Sequence, residues 1–386
     1  MISKRVEQLQ PSGIRQFFDL VLGMKEVISL GVGEPDFVTP WNIREAGIYA
    51  LEKGYTSYTS NKGLYRLRLI ISRFLKKRYG LEYNPDEEIL ITVGTSEGLD
   101  LIMRAILEPR EKVLIPQPGY VSYAPVTILA GGKPIYLHTG PEGDFKLNPG
   151  IIENAYEQNT KAIILNYPNN PTGVSYNRKE LEEIKKIVFK KNLLVISDEI
   201  YSELTYDFPH TPFATLKGAK ERTIYLNGFS KAYAMTGWRI GYVCGPEKII
   251  SAMTKIHQYT IMCVSIISQV AACEALENGR IPVEEMKNEY RRRREFVVQR
   301  LNELRLNCLK PQGAFYVFPS IKATGMGSLE FANKLLNAEK VAVVPGTAFG
   351  SCGEGFIRIS YAAGMENLKE AMNRIERFLK RQCNLK

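Results

Sequence analysis

The sequence predicts an α/β protein: a large domain with a mostly parallel, helix-covered sheet, plus a smaller α+β domain built from the N-terminal arm and the C-terminal part. Three observations predict it. From about residue 88, short β-branched runs alternate with helical stretches. Several runs are nearly all apolar, as strands buried on both faces must be. After Arg280 the texture changes to long charged stretches with brief apolar runs.

The strand candidates, in order, are EILITV (88–93), KVLIP (112–116), KPIYLH (133–138), KAIILN (161–166), LLVISD (193–198), TIYLN (223–227) and RIGYVC (239–244). Helical candidates such as SEGLDLIMRAIL and RKELEEIKKIVFKK lie between them. The run IMCVSIISQVAACEAL (261–276) is interrupted by Ser265, Ser268, Gln269 and Glu274. It falls short of the ~20 apolar residues that a membrane-spanning helix needs, and reads as a buried helix. These elements place the large domain at 41–280. A long charged helix then leads to LKPQGAFYVFPSI, a further helix, KVAVVPG, GEGFIRISYA and a closing amphipathic helix. That order makes 281–386 a smaller domain, which the Pro/Gly-punctuated arm of residues 1–40 joins.

Composition narrows the function. With 45% hydrophobic and 24% charged residues among 386, the chain has the make-up of a soluble globular protein. MISKRVEQLQ lacks the apolar core of a secretory signal. Six cysteines without a C-x-x-C pair read as reduced, mostly buried thiols, so the expected compartment is the cytoplasm. Three scattered histidines support neither a metal site nor a Ser-His-Asp hydrolase. The net charge of +10 and the run EYRRRREF raise the question of nucleic acid. Glu289 and Arg293 stand at i,i+4, however, and no aromatic residues interleave with basic ones. A solvated or subunit-facing helix is the better reading, and the positive charge suits small anions. Gly31-Val32-Gly33 is followed by Glu34-Pro35 rather than by a glycine-led helix, and no G-x-x-x-x-G-K-[ST] occurs, so simple NAD or ATP binding is not expected.

Four segments at predicted strand ends carry the candidate chemistry. Gly94-Thr95-Ser96 opens a helix and reads as an anion cradle or as a plain N-cap. YPNNPTG (167–173) reads as a turn or as a presenter of Asn170. SDEIY (197–201) puts Asp198 at the end of an apolar strand, which is costly unless the acid meets a cation. NGFSKAYAMTGWRIGY (227–242) isolates Lys231 and Arg239 in an uncharged frame. Ligands of open α/β sheets bind beyond the carboxyl ends of the strands. Converging there, the four segments suit a phosphorylated heteroaromatic aldehyde: the amine for an imine, the acid for a protonated ring nitrogen, the arginine and hydroxyls for the phosphate.

Taken with GEPDF before them and FIRISYA after, these motifs make the chain resemble the pyridoxal-phosphate-dependent aminotransferases of fold type I, class I, within the prokaryotic aspartate/aromatic subgroup. The resemblance runs from PSGIR to RISYA. It implies pyridoxal 5'-phosphate as cofactor and ping-pong transfer from an L-amino acid to a 2-oxo acid, 2-oxoglutarate foremost, through an aldimine on Lys231. It further implies that Lys231 is the Schiff-base lysine and base, that Asp198 pairs with the pyridine nitrogen, and that Asn170 and Tyr201 bond the phenolic oxygen. Thr95, Ser96, Ser230 and Arg239 fall at phosphate-contacting positions, and Tyr120 at the ring-stacking one. Arg358 corresponds to the clamp for the substrate α-carboxylate, with Gly33 and Asn170 beside it. Tyr58 matches a tyrosine that reaches the neighbouring subunit's phosphate, which implies a homodimer with shared sites and no nucleic-acid or membrane partner. Arg15 is read as fastening the arm, or as a cation near the substrate side chain. Two positions depart from the family pattern: Tyr65-Arg66, where relatives are often more acidic, and Gly228, where some place a phosphate-binding serine. A β-lyase on the same scaffold and an N-acyl-diaminopimelate aminotransferase remain open alternatives.

Overall fold

The computed structural model describes residues 1–9, 24 and 26–382; Arg15 and Cys383 lie outside the described residues. Strand β1 (Ile28–Ser29) comes first. The seven expected strands follow as β2 (Ile89–Thr92), β3 (Lys112–Gln117), β4 (Lys133–His138), β5 (Thr160–Asn166), β6 (Leu194–Asp198), β7 (Thr223–Gly228) and β8 (Gly241–Cys244). They form one sheet in the order β2-β8-β7-β6-β5-β3-β4. Within it β8 runs against the other six, pairing antiparallel with both β2 and β7.

Period-2 alternation explains why the central strands are apolar throughout, since successive side chains point to opposite faces. On β5 and β6, Ile164 and Ile196 join Leu99, Ile102 and Met253 on one face. Their neighbours Ile163 and Val195 join Leu181, Ile184 and Val188 on the other. Truncating one of these wholly buried isoleucines to alanine would cost roughly 2–5 kcal/mol.

The helices covering the sheet and its surroundings are α1 (Trp41–Glu52), α2 (Tyr65–Tyr79), α3 (Gly94–Ile106), α4 (Tyr123–Leu129), α5 (Pro149–Ala155), α6 (Arg178–Lys190), α7 (Glu247–Thr260) and α8 (Ile266–Asn278). Helix α6 starts where its sequence says it should. Asn177 Oδ1 accepts from the Glu180 N–H at 3.0 Å, and Glu180 Oε2 accepts from the Asn177 N–H at 2.8 Å. That is a capping box satisfying two orphan donors.

The run 261–276 is not one buried helix. Helix α8 begins only at Ile266, while Ile261 and Met262 are 45% and 44% exposed. Met262 has φ 71°, a left-handed conformation that ends the preceding helix. Apolar content alone did not reveal the break.

Helix α9 (Arg280–Glu303) corrects a second expectation. Its arginine run is not simply solvated, because Arg293 and Arg294 are buried. Arg293 donates to Asp36 and Glu289, each at 2.8 Å, and Arg294 donates to Asp207 at 2.7 Å. Val283, Met286, Tyr290, Val297 and Leu301 are buried on the same helix at spacings of three, four and seven. The two arginines thus fall on the docked face, where a charge must be paired.

The C-terminal part adds β9 (Tyr316–Val317), α10 (Ser328–Glu339), β10 (Val341–Ala342), β11 (Val344–Pro345), β12 (Ile357–Ser360) and α11 (Met365–Gln382). Strands β11, β12 and β9 form an antiparallel sheet. Strand β1 pairs in parallel with β10, Ile28 opposite Val341, so the N-terminal segment is stitched to the C-terminal part. Among the described residues, no helix is long and apolar enough to cross a membrane, and no cluster of metal-ligating side chains occurs.

Candidate active site

Beyond the carboxyl ends of β5, β6 and β7, where open α/β sheets place their ligands, lies a cavity of about 320 Å³. Its deepest wall is built around Asp198, the last residue of β6. Asp198 Oδ2 accepts from the Tyr123 hydroxyl at 2.7 Å, and Oδ1 accepts from the Ile200 N–H at 3.3 Å. Burial pushes the carboxyl up to about 6, against the pull of those two hydrogen bonds. Both donors are neutral, and among the described residues no cation stands at salt-bridge distance from this acid. The second carboxylate of SDEIY faces away, as strand alternation requires. Glu199 is wholly buried and accepts from Ser197 Oγ at 2.6 Å, from Tyr167 Oη and Phe213 N at 3.2 Å, and lies 2.6 Å from His210 Nε2.

Asn166, at the end of β5, ties the next segment down. Its Nδ2 donates to the Asp198 carbonyl at 3.1 Å, and its Oδ1 accepts from the Asn170 N–H at 3.0 Å. Asn170 Oδ1 in turn accepts from Arg358 Nη1 at 2.8 Å. Arg358, on β12, is buried, with Tyr316 and Phe349 rings 4.5 and 4.9 Å from its guanidinium carbon. Nη2 donates to the Gly31 carbonyl, while Nε has no partner among the described residues. A planar fork with donors to spare is what a carboxylate matches. The Tyr201 and Tyr316 hydroxyls meet at 2.9 Å.

Lys231 follows β7. Its ammonium donates to the Gly33 carbonyl at 2.6 Å. Burial lowers the amine to about 8, opposed by Glu34 and reinforced by Arg358 and Arg239. The loop between β7 and β8 holds Ala234 and Arg239 at φ 52° and 49°. Left-handed non-glycine residues persist only where their surroundings over-determine them. Here the ends are fixed by the register Gly228↔Gly241.

The outer wall differs. Arg239 is exposed, and its Nη1 donates to the Thr236 carbonyl at 2.9 Å. Gly94, at φ +71°, opens α3 beneath it, and a Cβ there would stand 2.7 Å from Arg239 Nη2. The guanidinium could move aside, so it is the left-handed backbone that keeps this position a glycine. Thr95, Ser96 and Ser230 line the cavity beside it. Gly228 also has a reason: a Cβ would come within 3.0 Å of the Gly241 Cα and 3.3 Å of Thr95 Cγ2, so a serine has no room without a shift.

The structure therefore gathers Gly33, Thr95, Ser96, Tyr120, Asn170, Asp198, Tyr201, Ser230, Lys231, Arg239 and Arg358 around one cavity. Tyr58 is not among them and is 82% exposed. Tyr123, Asn166, Thr236 and Tyr316 line the cavity without having been singled out. Tyr123 stands three residues after Tyr120 where a helix begins, a spacing that could have flagged it. Tyr316 comes from GAFYVF, distant in sequence from every other motif.

A family profile described as "Aminotransferase class I and II" matches residues 25–375. The chain belongs to that family. This aminotransferase is 48% identical to an aspartate aminotransferase of Pyrococcus abyssi and 46% identical to aromatic-amino-acid aminotransferase 2 of Thermococcus litoralis, with 98% of each chain covered in both comparisons. It superposes on the crystal structure of an aromatic aminotransferase from Pyrococcus horikoshii with TM-score 0.91 at 47% identity, covering 95% of this chain and 99% of that one. It is an amino-acid aminotransferase dependent on pyridoxal phosphate, with the fold of its family. The residues present fit that cofactor: a buried carboxylate with no cation at salt-bridge distance among the described residues, an amine of lowered proton affinity, and the Thr95, Ser96 and Ser230 side chains beside Arg239 on the cavity wall.

Proposed function

We propose that this aminotransferase moves the amino group of an L-amino acid of the aspartate or aromatic class to a 2-oxo acid, 2-oxoglutarate foremost, with Lys231 as its working base. One observation carries the reading. An amine held near neutrality, a buried acid without a cation and a buried arginine with spare donors line the same cavity.

When bound, pyridoxal phosphate supplies an aldehyde carbon for amine exchange and a protonated ring that draws electrons from the substrate Cα. Asp198 would hold the proton on the ring nitrogen, the close cationic partner that its buried carboxylate lacks among the described residues, where Lys231 acts on it only from beyond salt-bridge distance. Asn170 and Tyr201 would bond the ring oxygen, and Tyr120 would stack on the ring. Thr95, Ser96, Ser230 and Arg239 would take the phosphate. Arg358, with Gly33 and Asn170 beside it, would clamp the α-carboxylate and so orient the Cα–H bond toward Lys231. Lys231, released from the Gly33 carbonyl, would take the Cα proton and return it two atoms away, on the far side of the amino nitrogen. An amine near 8 is poised for that exchange, whereas an ordinary lysine stays protonated.

Large and small domains at 41–280 and at 1–40 with 281–386, a cytoplasmic location and a homodimer with shared sites belong to the same proposal. Tyr58, Tyr259 and Val38 are 82%, 86% and 71% exposed, apolar surface that a second copy would cover. A second donor, an N-acyl-diaminopimelate, is supported by 43% identity to a Bacillus subtilis protein named "Probable N-acetyl-LL-diaminopimelate aminotransferase". The test is a panel of amino donors with 2-oxoglutarate, read as glutamate formed, run beside Lys231→Ala. The variant is expected to lose the absorbance of lysine-bound cofactor and at least ~10³-fold in turnover. A variant that keeps its turnover would mean that another residue is the base.

A further inference from the structure

Helix α3 begins without a capping side chain: Val93 precedes Gly94, and no side-chain oxygen of the cap residue is available. The first-turn N–H groups of a helix have no intrahelical partners. Thr95 and Ser96 are residue types that cap helices, yet among the described residues neither hydroxyl is engaged in a hydrogen bond. Glu97 does the work from the next position. Its Oε2 accepts from the Val93 N–H at 2.5 Å. Its Oε1 lies 2.7 Å from His257 Nδ1, on α7. A carboxylate only accepts, so that ring nitrogen carries the proton.

His257 is wholly buried, and its Nε2 has no partner among the described residues. Burying an imidazole with one nitrogen unsatisfied is unfavourable, and among the described residues the ring's hydrogen bond is the one to Glu97. The ring sits outside the cavity, packed behind the helix start. A free carboxylate beside an anion site would repel the anion. Held by His257 on one oxygen and by Val93 N–H on the other, the Glu97 carboxylate is fixed at the back of the first turn.

We infer that Glu97 and His257 are positioning residues for phosphate capture: together they close the start of α3 from behind, leaving the Thr95 and Ser96 hydroxyls and the first-turn N–H groups to the cofactor's phosphate. Without this hold, Thr95 or Ser96 turns its oxygen to the backbone as a cap and is lost to the ligand. The inference rests on the proposed placement of the phosphate at Thr95 and Ser96.

The test compares two ligands on the cofactor-stripped protein, pyridoxal 5'-phosphate and pyridoxal, which share ring and aldehyde and differ in the phosphate. Equilibrium dialysis gives each affinity, and their ratio reports phosphate capture alone. Glu97→Ala is expected to lower the ratio by about tenfold, the scale of a lost cap, with pyridoxal affinity within about twofold of wild type. Glu97→Gln, which keeps an acceptor for Val93, restores most of the ratio. His257→Gln shifts it in the same direction as Glu97→Ala and serves if that variant does not fold. Equal weakening of both ligands, or no change in the ratio, overturns the inference. Thr95→Ala/Ser96→Ala separates the two levels. If it abolishes the preference while the Glu97 and His257 variants keep it, the positioning pair is wrong. If it too leaves the preference intact, the phosphate placement fails and the inference falls with it.

Discussion

Asp198 and Arg239 line the same cavity, yet the fold treats them differently. Around Asp198 every polar group is buried and held: Tyr123 and Ile200 on the carboxylate, Asn166 on its carbonyl, the Tyr201–Tyr316 pair alongside. Around Arg239 the side chain is exposed and contacts its own loop. The buried wall is organised before any ligand arrives, which is where preorganised electrostatics have their largest effect. The outer wall is built from N–H groups, hydroxyls and one exposed cation, groups that water satisfies until an anion replaces it. On this contrast, changes at the buried wall strike chemistry and changes at the outer wall strike retention of the cofactor.

Three substitutions, one of them measured in two ways, can break or sharpen that division. The largest effect is expected of Asp198→Asn, with turnover at saturating cofactor down ~10³–10⁴-fold; steady-state kinetics that show a loss of only a few-fold would erase the contrast. Next comes Arg358→Lys, which keeps the charge but removes the fork and is expected to lower kcat/KM about 10²-fold, most of it in KM. Equal losses for a substrate analogue lacking the α-carboxyl would show that Arg358 does not act on that group.

Asp198 also makes a prediction about stability. Its folded proton affinity, at about 6, lies above the ordinary 3.8, so the folded state binds the proton more tightly than the unfolded chain does. The carboxyl's contribution to stability therefore falls as pH rises from 3.8 to about 6, and above that the buried charge is a full penalty. In the cofactor-free protein at pH 8, Asp198→Asn is expected to stabilise the fold by on the order of 2 kcal/mol, a gain that vanishes near pH 4 in thermal unfolding. No gain at pH 8 would mean the carboxylate is better solvated than its surroundings indicate. The smallest effect belongs to the outer wall. Arg239→Lys is expected to weaken cofactor affinity about tenfold, with turnover at saturating cofactor nearly unchanged. A fall in that turnover would move Arg239 into the chemistry.

Much of this was legible in the sequence because strands buried on both faces announce themselves, and because the motif residues sit at strand ends. EILITV through RIGYVC all became members of one sheet. What escaped has a physical reason in each case. Tyr316 reaches the cavity from a strand far along the chain, and no local pattern encodes such a meeting. Arg293 and Arg294 look like solvent-facing charges within EYRRRREF. Only the spacing of Met286, Tyr290, Val297 and Leu301 shows that they share the docked face, and only the fold supplies Asp36 and Asp207 as partners. The break at Met262 inside an apolar run depends on one backbone angle, which composition does not carry.

The loop between β7 and β8 has a bearing on how this protein can change over time. Because β7 and β8 are neighbours in register, residues 229–240 are pinned at both ends, and Lys231 and Arg239 sit near the two feet of a closed arch. Substitutions within the arch alter what it presents. An added or missing residue instead moves one cation relative to the other, or slides a strand by one place and turns its side chains to the opposite face. Length here is thus inherited more strictly than spelling, and a recombined descendant could exchange the arch whole but not trim it.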